Sequence, residues 1–259
     1  MKAGFGIPNN QGVEDPNDLV ALAVTAERLG FASVWVREHL FHSTYVAERL
    51  GDKPYHDALT VLTAIACATK TVRLGTSVLV LPWHDPARLG KMVATLDQLS
   101  GGRVDLGVGV AVTRDEFENL GVDFATRGKR TDEILGALQA LWTQDTPEFA
   151  GEYYRYSGLK FSPKPLQAPY PPLLIGGSSA AAKRRVVRFG DGWHTLRQSP
   201  SAPVQDRTAL TGTDDDIVET IKAYEAAGLD EIVVGVSSAD VAENTDAMEH
   251  FMQRVWSKL

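Results

Sequence analysis

The sequence predicts an α/β protein, a (β/α)₈ TIM barrel built as one domain over residues 1–259, and three observations predict it. Apolar, β-rich runs alternate with helical patterns along most of the chain. The strand runs show no polar alternation, as expected for a parallel sheet covered on both faces. Polar residues gather just after strand after strand: Asn9-Asn10, Glu38-His39, Trp83-His84, Arg114-Asp115, Gly177-Ser178 and Trp193-His194. A barrel collects such ends around one mouth, whereas an open doubly wound sheet gathers fewer at its switch point.

The strand runs are `KAGFGI` (2–7), `SVWV` (33–36), `VRLGTSVLVL` (72–81), `VDLGVGV` (104–110), `PLLIGG` (172–177), `GWHT` (192–195) and `EIVVGV` (231–236). Helical patterns lie near 17–29, 57–69, 86–99, 127–143, 179–189, 214–227 and 240–257. Asp15-Pro16, Asp85-Pro86 and `TGTDDD` are helix starts, while Gly30, Gly101-Gly102, Gly190 and Gly228 are stops. Seven strands are clear, not eight. The barrel is therefore either abbreviated around residues 196–211 or closed there by an irregular segment, with at most a short strand at `RTAL`. Residues 144–171, rich in Pro, Gly and Tyr, form a long excursion rather than an interdomain linker.

Composition sets the outer bounds. A chain of 259 residues, 44% hydrophobic and 23% charged, suits one large α/β domain. Lys and Arg number 26 against 33 Asp and Glu, which argues against a nucleic-acid surface. No run approaches 18 apolar residues and `MKAGFGIPNN` is no signal segment, so a soluble, cytoplasmic protein without a membrane partner is expected. The single cysteine, Cys67, lies on a helical pattern and is expected to be a small core thiol.

`PPLLIGGSSAAAKRRVV` (171–187) is the most informative segment: a strand ends in two glycines and two serines, and a helix begins at once. Free N–H groups there would face an anion, although a plain helix cap after a tight turn reads the same residues. `LDQLSGGRVDLGVGV` (96–110) contains an ATPase-like `LSGGR`, but no phosphate loop accompanies it, and `GVGV` lacks the rest of a dinucleotide fingerprint. The run reads as a barrel strand kept small, either for tight packing or so that something flat can lie over its end at Gly109. The very apolar `TSVLVLPWHDP` (76–86) is a core strand with a helix start, or an apolar wall against a planar ligand. His39 and His42 have H-x-x-H spacing without a third ligand, so no metal site is expected. His39 is a candidate general acid or base that Glu38 could tune, though adjacent strand residues point to opposite faces.

Taken together, `AERLGFASVWVREHL`, `ATKTVRLGTSVLVLPWHDPARLGKMVATLDQLSGGRVDLGVGV`, `EFENLGVDFATRGKRTDEILGALQALW` and `PKPLQAPYPPLLIGGSSAAAKRRVVRFGDGWH` resemble the luciferase-like monooxygenase superfamily, over most of residues 26–195. Within it the chain most resembles the deazaflavin-dependent oxidoreductases. The resemblance implies coenzyme F420, with FMN the alternative, held with its ring across the C-terminal mouth of the barrel. It implies a non-prolyl cis peptide at Ser77–Val78 with Val78 behind the ring, and a phosphate end against Gly176, Gly177 and Ser178. Gly109 and Trp193 complete the implied cofactor set. The family's Asp-His on the second strand becomes Glu38-His39 here, placing His39 near the reactive face of the ring. Val110 and Ala111 stand where some relatives place a catalytic acid or a glycine, which argues against sugar-phosphate dehydrogenase activity. The functions implied are hydride transfer between F420 and a small organic substrate, FMN-dependent monooxygenation, or flavin binding without catalysis in an abbreviated barrel. A homodimer is the implied assembly.

Overall fold

The computed structural model describes residues 1–195 and 210–259. Along the chain lie β1 (Lys2–Gly6), α1 (Pro16–Leu29), β2 (Ser33–Val36), α2 (Thr44–Leu50), α3 (Ala58–Ala68), β3 (Arg73–Thr76), β4 (Leu79–Val80), α4 (Pro86–Ser100) and β5 (Val104–Gly109). There follow α5 (Arg114–Asn119), α6 (Arg127–Thr143), the hairpin strands β6 (Phe149–Ala150) and β7 (Arg155–Tyr156), β8 (Leu173–Gly176), α7 (Ala180–Phe189), β9 (Gly192–His194), α8 (Asp214–Ala226), β10 (Glu231–Val234) and α9 (Val241–His250).

One sheet runs in the order β10-β1-β2-β3-β5-β8-β9, all parallel, with the short β4 paired to β5. This is the expected α/β fold as a half-barrel, its helices packed outside. The expected abbreviation at 196–211, with its short strand at `RTAL`, lies almost wholly outside the described residues. The run expected as one strand over 72–81 is two, β3 and β4, with a cis peptide at Ser77–Val78 between them. The expected excursion at 144–171 contains the β6–β7 hairpin, and α2 and α5 are helices that the sequence reading did not expect.

The helix ends follow their sequence signals. Asp15 and Asp85 accept backbone N–H bonds from Asn17 and Arg88, and Thr213 forms a capping box with Asp216. On α3, Ala58, Leu59, Val61, Leu62, Ile65 and Ala66 are buried, a stripe at helical period, each large side chain contributing about 2 kcal/mol. Cys67 falls just past that stripe and is exposed, so the expectation of a core thiol is corrected: it sits on the outer face of α3.

The ATPase-like `LSGGR` has a structural use. Arg103 donates to the carbonyls of Ser100, Val72, Ala66 and Thr69 and to the Thr69 hydroxyl, tying the end of α3 to the turn after α4. The carbonyls of Ala66, Thr69 and Ser100 would otherwise be left over at helix C-termini. Inside the barrel, Trp35 lies across Gly4 and Gly75, at whose positions a Cβ would collide with the Trp35 ring system. The interior-facing parity of β2 is thus Ser33, Trp35, Arg37 and His39, while Val34 and Val36 are fully buried in the core cluster that the helices share.

Candidate active site at the mouth of the half-barrel

The β2 end carries two histidine–carboxylate pairs. His39 Nδ1 lies 2.6 Å from Glu116 Oε2. Glu116 stands on α5, and its Oε1 accepts the backbone N–H groups of Leu40 (3.0 Å) and Phe41 (3.3 Å), while the Thr113 hydroxyl donates to Oε2. Burial pushes the Glu116 carboxyl up, but the bond and charge of His39 and these donors outweigh it and hold it below the usual carboxylate range. With Glu116 ionised, His39 Nδ1 is the donor. His39 Nε2 has no hydrogen-bond partner among the described residues, and the ring remains 19% exposed.

Glu38, which like His39 lies just past the last residue of β2, turns to other partners. It is buried; its Oε2 accepts Val80 N–H (2.6 Å) and its Oε1 pairs with His84 Nε2 (2.8 Å). Burial pulls the His84 imidazole down, yet the bond and charge of Glu38 prevail and raise it above its ordinary value. Glu38 therefore ties β2 to β4 and His84, while His39 receives its carboxylate from α5.

Rings surround His39. Tyr45, Tyr55 and Trp83 have centroids 5.8, 5.6 and 5.9 Å from its ring, and Phe117 backs Trp83 at 5.9 Å. The Tyr55 hydroxyl and Trp83 Nε1 are buried without a hydrogen-bond partner.

The β8–β9 end is built differently. His194 Nε2 is 2.9 Å from the Ser77 hydroxyl, and its ring stacks on Trp35 at 5.0 Å. Burial, helped by the charge of Arg37, pushes this imidazole down to about 4, so it is neutral at neutral pH. Val78 sits over Gly109 and Gly176, where added Cβ atoms would come within 2.7 and 3.1 Å of its methyls. Gly177 takes φ 95° and leads to Ser178, and Ser179 caps α7 by accepting Ala182 N–H. Trp193 Nε1–H donates to the Gly177 carbonyl at 2.7 Å, bracing the turn from outside the strand.

The structure thus brings His39, Ser77, Val78, Gly109, Gly176, Gly177, Ser178 and Trp193 to one edge of the sheet, with Glu38 behind it. These residues fit a flat ring with a phosphate-bearing tail: small strand ends and Val78 make a platform, and the α7 N-terminus presents free N–H groups beyond it. Sequence reading missed Glu116 and Tyr55. Glu116 had a faint signal, since Thr113-x-x-Glu116 has capping-box spacing, but the pair instead bonds side chain to side chain toward β2. Tyr55 sits in the irregular segment before α3 and gave none.

A half-barrel of parallel strands with its polar ends at the C-terminal edge defines the class, an α/β protein of the TIM-barrel type. The family model for luciferase-like monooxygenases matches residues 1–208, and the chain belongs to that family. Its members are oxidoreductases and monooxygenases. An FMNH(2)-dependent dimethylsulfone monooxygenase of Pseudomonas putida is 32% identical over 228 residues, covering 87% of this chain; the chain spans 58% of that protein's length. In fold, the monooxygenase RslO1 from Streptomyces bottropensis superposes with a TM-score of 0.83 at 20% identity, over 100% of this chain and 99% of its own. An F420-dependent secondary alcohol dehydrogenase, solved with an F420-acetone adduct, superposes with a TM-score of 0.79 at 19% identity, over 99% and 98%. Among the described residues no helix is long and apolar enough to cross a membrane.

Proposed function

We propose that this protein is an oxidoreductase that passes hydride between coenzyme F420 and a small organic substrate. The observation that carries the reading is His39, with one ring nitrogen fixed on ionised Glu116 and the other free at the mouth. When bound, the coenzyme supplies a two-electron hydride acceptor or donor. Loss of hydride from a carbon bearing a hydroxyl leaves the oxygen's proton to be taken up; His39 Nε2 takes it, and returns it in the reverse direction. Glu116 fixes the tautomer that leaves Nε2 able to accept, and holds the ring in place. Glu38 is a positioning residue here, acting through β4 and His84. Gly176, Gly177, Ser178 and the α7 N-terminus hold the phosphate, Val78, Gly109 and Ser77 support the ring, and Trp193 holds the turn.

The second reading, FMN-dependent monooxygenation with reduced flavin and O₂, is favoured by the 32% identity to an FMNH(2)-dependent enzyme. Titrating the purified protein with oxidised and reduced F420 and with FMN separates the two. Saturable F420 binding, with substrate-linked absorbance change, is expected. Tight FMN binding with no response to F420 would overturn the first reading in favour of the second. Binding of either without turnover for any substrate class would leave a flavin-binding protein.

A further inference from the structure

The aromatic box around His39 contains more than apolar walls. Among the described residues, six buried side-chain polar atoms lack a hydrogen-bond partner, and two of them, the Tyr55 hydroxyl and Trp83 Nε1, belong to rings that pack on His39. Buried polar groups in folded proteins are nearly always satisfied, so two orphans on one histidine's neighbours call for a ligand. We infer that Tyr55 and Trp83 are the substrate's oxygen-binding residues, gripping a hydrogen-bond acceptor on a neutral, largely apolar small molecule beside His39.

The chemistry of the two groups sets the class. An indole N–H donates and cannot accept. The Tyr55 hydroxyl stays protonated: burial pushes it up and the charges of Glu38 and Glu116 add to this, outweighing the opposite pull of Arg37 and Arg49. Both groups therefore offer protons to an acceptor, as a carbonyl, an alcohol oxygen or a sulfone presents. The walls are Tyr45, Tyr55 and Trp83, with Phe117 behind Trp83, and they suit a hydrocarbon body. The carboxylates at the box are already matched, Glu116 by His39 and Glu38 by His84, so a neutral ligand is favoured over a cation. A substrate oxygen held by these groups sits among the rings that pack on His39, the residue that the proposed reaction needs. The inference rests on that reading for its use of the word substrate, but the binding it asserts is separable from the coenzyme.

The test reads binding without turnover. In protein labelled with ¹⁵N at the five tryptophan indoles, the Trp83 resonance is assigned as the one missing from W83F. Cyclohexanone, its isostere methylenecyclohexane, and cyclohexanecarboxylate are titrated in, with and without F420 or FMN loaded. Cyclohexanone is expected to move the Trp83 indole proton downfield and saturably, and Tyr55→Phe to weaken this binding about tenfold with the circular dichroism unchanged. Methylenecyclohexane and the carboxylate are expected to bind at least about tenfold more weakly and to leave that proton in place. Equal binding of methylenecyclohexane, preference for the carboxylate, no saturable shift with cyclohexanone, or an unaltered affinity in Tyr55→Phe each overturns the inference. So does a downfield shift on loading the coenzyme alone that abolishes cyclohexanone binding, because the donors would then serve the ring. A normal cyclohexanone response in a protein that binds only FMN leaves the inference standing and removes the F420 assignment alone.

Discussion

The two ends of the mouth treat histidine in opposite ways. At the β2 end each imidazole is tied to a carboxylate, His39 to Glu116 and His84 to Glu38. At the β9 end His194 meets a serine hydroxyl and an indole face. His84 and His194 are both penalised by burial, yet His84 ends above its ordinary value and His194 is driven down to about 4. The decisive difference is the carboxylate: a full negative charge at hydrogen-bond distance outweighs desolvation, and a hydroxyl does not. The β2 end therefore pairs its imidazoles with carboxylates, whereas the β9 end keeps His194 neutral beside strand ends of glycine and valine.

The largest break in this comparison comes from His39→Ala. In the cofactor-loaded protein it should lower kcat about a thousandfold while leaving the coenzyme Kd within about threefold. Glu116→Gln should cost less, on the order of tenfold in kcat, by loss of one charge-assisted bond, and it should reshape the pH–rate profile. An unchanged rate in His39→Ala would mean that the β2 side does not move protons.

Next in size is the acid stability set by His194. Its folded value of about 4 lies below the ordinary value of 6.5, so between these values the unfolded chain binds more protons than the folded one. Stability therefore falls as the pH drops through that window, by up to about 3 kcal/mol. Urea unfolding of His194→Asn, which cannot titrate, should show a smaller loss over the same window. Equal losses in both proteins would remove the claim that the β9 side is kept neutral at a cost.

Glu38→Gln tests the opposite sign with a smaller effect. Because the folded His84 value is raised, the pair's contribution is full below the ordinary imidazole value and is lost as pH rises through the folded one. The wild type should exceed Glu38→Gln by a margin larger in acid than in alkali, a difference on the order of 1 kcal/mol in the urea midpoint comparison. A margin independent of pH would mean that Glu38 serves chiefly as an acceptor for Val80 N–H.

The strands and most helices were legible because their causes are local: apolar runs, Asp-Pro starts, glycine stops. β2 and α6 fall on their expected bounds. The short helices α2 and α5 were not, since six or seven residues give no periodicity to read and their stability comes from docking. Glu116 was lost with α5: its partner His39 is 77 positions away, and a contact of that separation has no trace in local pattern. Glu38 was legible as a polar strand end, but its partner depends on which face of β2 it takes. Trp83 was legible as an aromatic strand end and Tyr55 was not, and the unpartnered polar atoms of both exist only in three dimensions.

The smallest effect sharpens the uncharged side. Trp193 donates to the Gly177 carbonyl from outside the sheet, at 2.7 Å, while its ring stays 42% exposed. Trp193→Phe keeps an aromatic body there and removes only the donor, so stability should change by no more than about 1 kcal/mol. Gly177 holds a left-handed backbone immediately before Ser178, and loosening it should be felt by the phosphate end of a bound coenzyme. The expected result is a Kd about fivefold weaker with kcat unchanged at saturation, a binding defect on the β9 side against a rate defect on the β2 side. If Trp193→Phe instead lowered kcat with Kd intact, the division of the mouth into a holding half and a proton-moving half would fail, because the brace of the phosphate turn would then be acting on the chemistry itself.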